Sequence, residues 1–119
     1  MAASTIATHQ PYKEGFSVNA YNAAWDGCEI AVAAVAGKSH YIEYIFINNV
    51  TNTTTVSIGS GEDPAGTIET VLIGPIATSA NMNIEMHFAK PIKVAAGKDI
   101  NVDTSAATAA LVVLQGFTE

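Results

Sequence analysis

Few residues in this 119-residue sequence are able to do nucleophilic or acid–base chemistry: one cysteine, Cys28, and three histidines, His9, His40 and His87. A reactive thiolate needs a neighbouring base and an electropositive setting. Cys28 is flanked instead by Asp26 and Glu29, which oppose its ionisation, so it reads as a small packing residue. Glu85 and His87 are two residues apart and would share one face of a strand, as the start of a metal site could. A structural zinc site needs four converging ligands, and a sequence with one cysteine does not offer them. His40 opens a strand after the Gly37-Lys38 turn and is read as no more than that.

Two acidic groupings, Gly61-Glu62-Asp63 and Asp99 with Asp103, resemble the carboxylates that hold calcium on loops. The spaced Asp/Asn ladder ending in a bidentate Glu is missing, so they read as turn-forming acids. The sequence contains no phosphate loop, nucleophile elbow or convergent acid–base pair. The expectation is a protein that is not an enzyme, with no catalytic residues, no metal and no cofactor.

The elements that would position these residues are strands. Residues 81–88 alternate without error: Met82, Ile84, Met86 and Phe88 point one way, and Asn81, Asn83, Glu85 and His87 the other. That period of two places one row on a core and one on solvent. Residues 41–50 are dense in Ile, Tyr and Phe on both parities, as a strand in mid-sheet would be. Residues 53–59 alternate around Val56 and Ile58, and the short polar link before them predicts a hairpin with residues 41–50. Further strands are expected at residues 28–36, where alanine content makes a short helix the competing reading, and at 68–73, 92–94, 100–104 and 109–117, with turns at residues 60–66, 74–75 and 96–99. Val35-Ala36-Gly37-Lys38 is echoed by Ala95-Ala96-Gly97-Lys98, as two equivalent turns would be.

Seven or eight short strands without crossover helices must pair antiparallel and bury one face each. The expected fold is all-β: an antiparallel two-sheet β-sandwich, jelly-roll-like, in residues 28–119, preceded by an extended N-terminal arm in residues 1–27. Residues 21–25 could make a short helical turn within that arm. Phe16, Tyr21 and Trp25 are its isolated aromatics. They are candidates for interaction anchors, and equally for a plug at one open end of the sandwich.

Composition narrows the partners. Five lysines, no arginine and eleven carboxylates give a net charge of −6. Nucleic-acid binding needs clustered cations, so neither nucleic acid nor an anionic membrane surface is an expected partner. No stretch approaches the ~20 apolar residues of a membrane-spanning helix. The start Met1-Ala2-Ala3-Ser4-Thr5-Ile6 has no basic residue and no apolar run of signal length, so synthesis in the cytoplasm is expected.

One further pattern runs from Gly37 to Phe117. It comprises Ile42-Glu43-Tyr44-Ile45-Phe46-Ile47-Asn48-Asn49, then Val56-Ser57-Ile58-Gly59, then Phe88-Ala89-Lys90-Pro91-Ile92-Lys93-Val94-Ala95-Ala96-Gly97-Lys98-Asp99-Ile100, and the closing Leu111-Val112-Val113-Leu114-Gln115-Gly116-Phe117. This resembles the small β-sandwich virion proteins of tailed bacteriophages, in particular head-decoration proteins of jelly-roll type. Phe117 stands where that group commonly has Tyr. The resemblance implies a structural virion protein made in the host cytoplasm and bound to the capsid exterior. Its implied partner is the major capsid protein, its implied state a homotrimer, and the N-terminal arm is the natural capsid contact. The resemblance carries no catalytic residues. A carbohydrate- or receptor-binding module of a phage tail or fibre is the alternative, favoured if Trp25, Tyr41 and Tyr44 are exposed together. A small sandwich enzyme would need His40, His87 and an acid to meet in one pocket.

Overall fold

The computed structural model describes residues 14–62 and 67–119, which form six strands. They are β1 (Glu14–Val32), β2 (His40–Asn49), β3 (Thr54–Glu62), β4 (Ile68–Thr78), β5 (Met82–Lys93) and β6 (Ile100–Thr118). All pairings are antiparallel, and none of the described residues is helical. The ladder joins every strand in one sheet of order β4-β3-β6-β2-β5, with β1 along the opposite edge of β6.

Strands are fewer and longer than their turn signals imply. Residues 100–104 and 109–117 are parts of one strand, β6, because Ser105-Ala106-Ala107-Thr108 contains no glycine or proline to reverse the chain. Residues 81–88 and 92–94 likewise fuse into β5, which carries Pro91 without breaking. β4 runs through the expected break at Gly74-Pro75, where the peptide bond is cis. Residues 21–25 are extended, not helical, and the expected boundary at residue 27 falls inside β1. β1 pairs with β6 from Glu14↔Thr118 onward. The earlier part of the arm lies outside the described residues.

The hairpin expected between residues 41–50 and 53–59 does not form. β2 pairs with β5 and β6, and β3 pairs with β4 and β6. The two therefore lie end to end along one edge of β6, from His40↔Thr118 to Ser60↔Ile100.

This path must fold back on itself. Fully extended, residues 41–60 would span about 60 Å. Yet Lys93 pairs with Tyr41 at one end and Ile100 with Ser60 at the other, and a link of that length reaches at most ~25 Å. The sheet accordingly curls. Backbone bonds close the seam: Val94 N to His40 O at 2.8 Å, Gly97 N to Lys38 O at 2.8 Å and Gly61 N to Asp99 O at 3.3 Å. The echoed turns meet there, with Gly37 and Gly97 both at φ 74°, a left-handed conformation that glycine adopts without strain.

Curling brings both halves of the sheet onto one core. Ile42, Ile45, Ile47, Val112 and Leu114 from one half pack with Val56, Ile58, Ile73, Ile100 and Val102 from the other. Ile84, Met86 and Phe88 pack against its margin, on the parity read from the sequence, and Met82 at the strand end is exposed. Gly116 is required where β2 bulges between Ile42 and Tyr44: a Cβ there would collide with the Tyr41 carbonyl oxygen and the Phe16 ring.

At the bend, side chains replace the ladder. Between Asn49↔Ala110 and Val56↔Thr104 no Cα partners link the β2–β3 path to β6. Ala109 N donates to Thr51 Oγ1 at 2.8 Å, Thr55 N to Ser105 Oγ at 2.9 Å, Ala106 N to Thr54 Oγ1 at 2.9 Å and Asn52 N to Thr108 Oγ1 at 3.1 Å. Asn49, fully buried, accepts from the Thr108 hydroxyl at 2.5 Å and donates to Asn52 O at 2.6 Å and Ser79 O at 3.0 Å. Thr78 Oγ1 donates to Thr54 O at 3.0 Å, tying in the neighbouring β4. Replacing Thr108 with valine keeps the volume and leaves Asn49 Oδ1 and Asn52 N unbonded. Thr108→Val should destabilise the fold by about 1–3 kcal/mol in urea unfolding, whereas Ser17→Ala on the exposed outer face should change it by less than about 0.5 kcal/mol.

Candidate interaction surface

The chemistry-bearing residues do not converge. His40 is 2% exposed on the inner row of β2, where Nε2 donates to Ala33 O at 2.8 Å and Nδ1 lies 2.8 Å from the Thr118 hydroxyl. The Phe16 ring meets the His40 ring edge-on at 5.7 Å. His40 thus ties the link before β2 to the end of β6. His87 stands on the outer face of β5, and the sheet separates the two imidazoles. Cys28 is half-buried beside Asp103 across the ladder, and burial raises the Asp103 carboxyl above its ordinary range.

The seam gathers parts of both acidic groupings. Asp99 Oδ1 accepts from Gly61 N at 3.1 Å and from Asn101 Nδ2 at 2.8 Å, and Glu69 pairs with Lys98 at 3.2 Å. These carboxylates hold the ends of strands. Asp63 lies outside the described residues. Among the described residues no three His, Cys, Asp or Glu side chains are grouped for a metal ion, and there is no enclosed pocket.

What the surface does offer is a broad face. On the outer side of β1, β6, β2 and β5, register aligns Gly15, Phe117, Tyr41 and Lys93 in one row. The next rows are Ser17, Gln115, Tyr44 and His87; Asn19, Val113, Phe46 and Glu85; and Tyr21, Leu111, Asn48 and Asn83. On the two middle strands Phe117, Val113, Leu111, Tyr41, Tyr44 and Phe46 are half-buried beside polar Gln115 and Asn48, and the flanking strands carry mostly polar residues, with Tyr21 the exposed exception. Tyr41 and Phe117 stack at 4.7 Å and 13°, so each turns one ring face to the other, and Lys93 Nζ lies 6.0 Å from the Tyr41 ring. The Tyr44 hydroxyl donates to Glu85 Oε2 at 2.7 Å, its ring lies 4.6 Å from that of His87, and Asn48 bonds Asn83. Residues 41–50 carried the signal for this face, because their apolar residues fall on both parities.

The three aromatics singled out in the arm separate. Phe16 packs against the core. Tyr21 is 62% exposed at the outer edge of the broad face. Trp25 pairs through its backbone with Thr108, and its side chain lies outside the described residues.

The Tyr44–Glu85 pair has a measurable signature. The hydrogen bond to Glu85, with smaller contributions from desolvation and the carboxylate's charge, raises the phenol pKa above 10.0. Ionising Tyr44 breaks that bond and sets two anions together, so the neutral phenol persists to higher pH. Alkaline titration followed by NMR at the Tyr44 ring should show a lower midpoint in Glu85→Gln than in the parent chain; equal midpoints would remove the pair.

No family model matches the chain, and no curated protein matches it. Among solved structures, it is similar to a chain in "Acidic stable capsid structure of Helicobacter pylori bacteriophage KHP30". The two are 17% identical, with a TM-score of 0.50, over 87% of this chain and 90% of that one. At that identity the likeness is one of fold.

Proposed function

We propose that this chain is a structural virion protein that binds the outer surface of a phage capsid and stabilises or decorates it through repeated subunit contacts. The observation that carries the reading is the shared fold with a chain from a phage capsid structure, extending over most of both chains. The broad outer face fits the role: an aromatic and aliphatic centre with a polar rim is the anatomy of a protein contact surface. Its area, four strands by four rows, is roughly 500 Å², small for one stable interface. Weak contacts of that size gain strength when many copies bind one lattice. A trimer bound to the major capsid protein is the assembly this reading adopts, with no enzymatic activity.

The curled sheet is read as a jelly-roll sandwich. Support comes from the chain path, in which β2–β3 and β4–β5 run antiparallel as two long ribbons that bend at matching points.

Tyr41 and Tyr44 share the outer face, the one observation that favours the glycan-binding alternative. Against it, the Tyr41 ring already stacks on Phe117 and sits beneath Lys93, which leaves little free ring face for a sugar. Co-sedimentation with empty capsids separates the readings. Saturable binding at a fixed ratio to coat subunits is expected. A glycan-array signal without capsid binding would favour the module, and failure of both would remove both.

A further inference from the structure

The four rows of the broad outer face match themselves when the face is turned end for end. Charge also sets this face apart. The chain carries five lysines and eleven carboxylates, a net charge of −6. The rows hold one lysine, Lys93, and one carboxylate, Glu85. The bulge between the first two rows adds Glu43 and Lys90, one charge of each sign. The acidic excess therefore lies elsewhere on the chain, and a second copy meets less charge repulsion here.

We propose that this face packs against the same face of a second copy, about a two-fold axis that lies in the face and crosses the strands between the second and third rows. Such a contact is reciprocal: each residue of one copy meets a partner residue that it also receives. The rotation sets the first row on the fourth and the second on the third. Tyr21, 62% exposed, then stands over Gly15, which has no side chain and only the Gly116 carbonyl oxygen, at 3.8 Å, near the place of a Cβ. Phe117 meets Leu111, Val113 meets Gln115 and Phe46 meets Tyr44. Glu85 meets His87 and Lys93 meets Asn83, so no like charges are opposed. A two-fold axis along the strands instead sets Lys93 over Gly15 and Glu85 over Asn19, and leaves both charges without a partner across the contact. Sheets packed face to face with roughly aligned strands are a common arrangement. Two faces of roughly 500 Å² bury about 1,000 Å² together, the low end for a specific contact, so the pairing is weak and reversible. The inference goes beyond the capsid-binding reading. It names a contact between copies, additional to any three-fold contact of a trimer, in which a patch does not meet itself.

Sedimentation equilibrium of the full chain tests the pairing. The weight-average mass should rise reversibly between about 10 µM and about 1 mM protein. His87→Glu opposes two carboxylates across the axis and should weaken association at least about tenfold. Adding Glu85→His to that variant sets acid against imidazole again and should bring association back to within about threefold of the parent. Thermal unfolding of both variants should match the parent, which separates a lost contact from a lost fold. An unchanging mass over the whole range would overturn the proposal. Association that His87→Glu leaves unaltered, or that the exchanged pair does not restore, would do the same. Capsid co-sedimentation keeps this inference and the decoration reading apart. A parent that self-associates through this face but binds no capsid removes decoration alone. A parent that binds capsids without self-association removes the pairing alone, and loss of that binding in His87→Glu would assign the face to the coat protein instead.

Discussion

The fold depends on satisfying backbone polar groups where a sheet bends. A curled sheet can bury one face of both its halves in a single core, but only if its strands turn a corner, and there ladder bonds are lost. A buried N–H without a partner costs as much as a hydrogen bond is worth. Here Thr51, Thr54, Ser105 and Thr108 supply oxygens to four backbone amides that have left the ladder, and buried Asn49 links the result to residues 52 and 79. The Thr- and Asn-rich link between β2 and β3 is therefore a structural joint.

From that joint follow the core and the outer surface. Because the bend lets β6 serve both halves, one strand of 19 residues carries Ile100 and Val102 to one side of the core and Val112 and Leu114 to the other. Inside, His40 ties the link before β2 to the end of β6 and Asn49 holds the corner. What faces outward is the broad face of β1, β6, β2 and β5, with half-buried aromatic and aliphatic side chains at its middle. A face of that make-up suits contact with another polypeptide.

Period-two patterning made much of the fold legible. The inward row Ile84, Met86 and Phe88 could be read directly, and so could the mid-sheet position of residues 41–50 and the paired glycine turns at Gly37 and Gly97. Strand continuity could not. The sequence at residues 50–53 has the polar, short look of a hairpin turn, and its actual use is set by hydroxyls more than 50 positions away at Ser105 and Thr108. The same limit applied to the candidate surface. Phe16 and Tyr21 are similar aromatics five apart, but five positions in a strand put them on opposite faces, one on the core and one in solvent. Only knowing that residues 14–32 are strand reveals that difference.

Native-state hydrogen exchange at the corner tests the central claim most directly. If side-chain oxygens stand in for the ladder, the amides of Thr55, Ala106 and Ala109 should exchange as slowly as ladder amides near the ends of β2 and β3. Exchange at the rate of an open, solvated turn would contradict the account, since the bend would then be held by something other than these bonds.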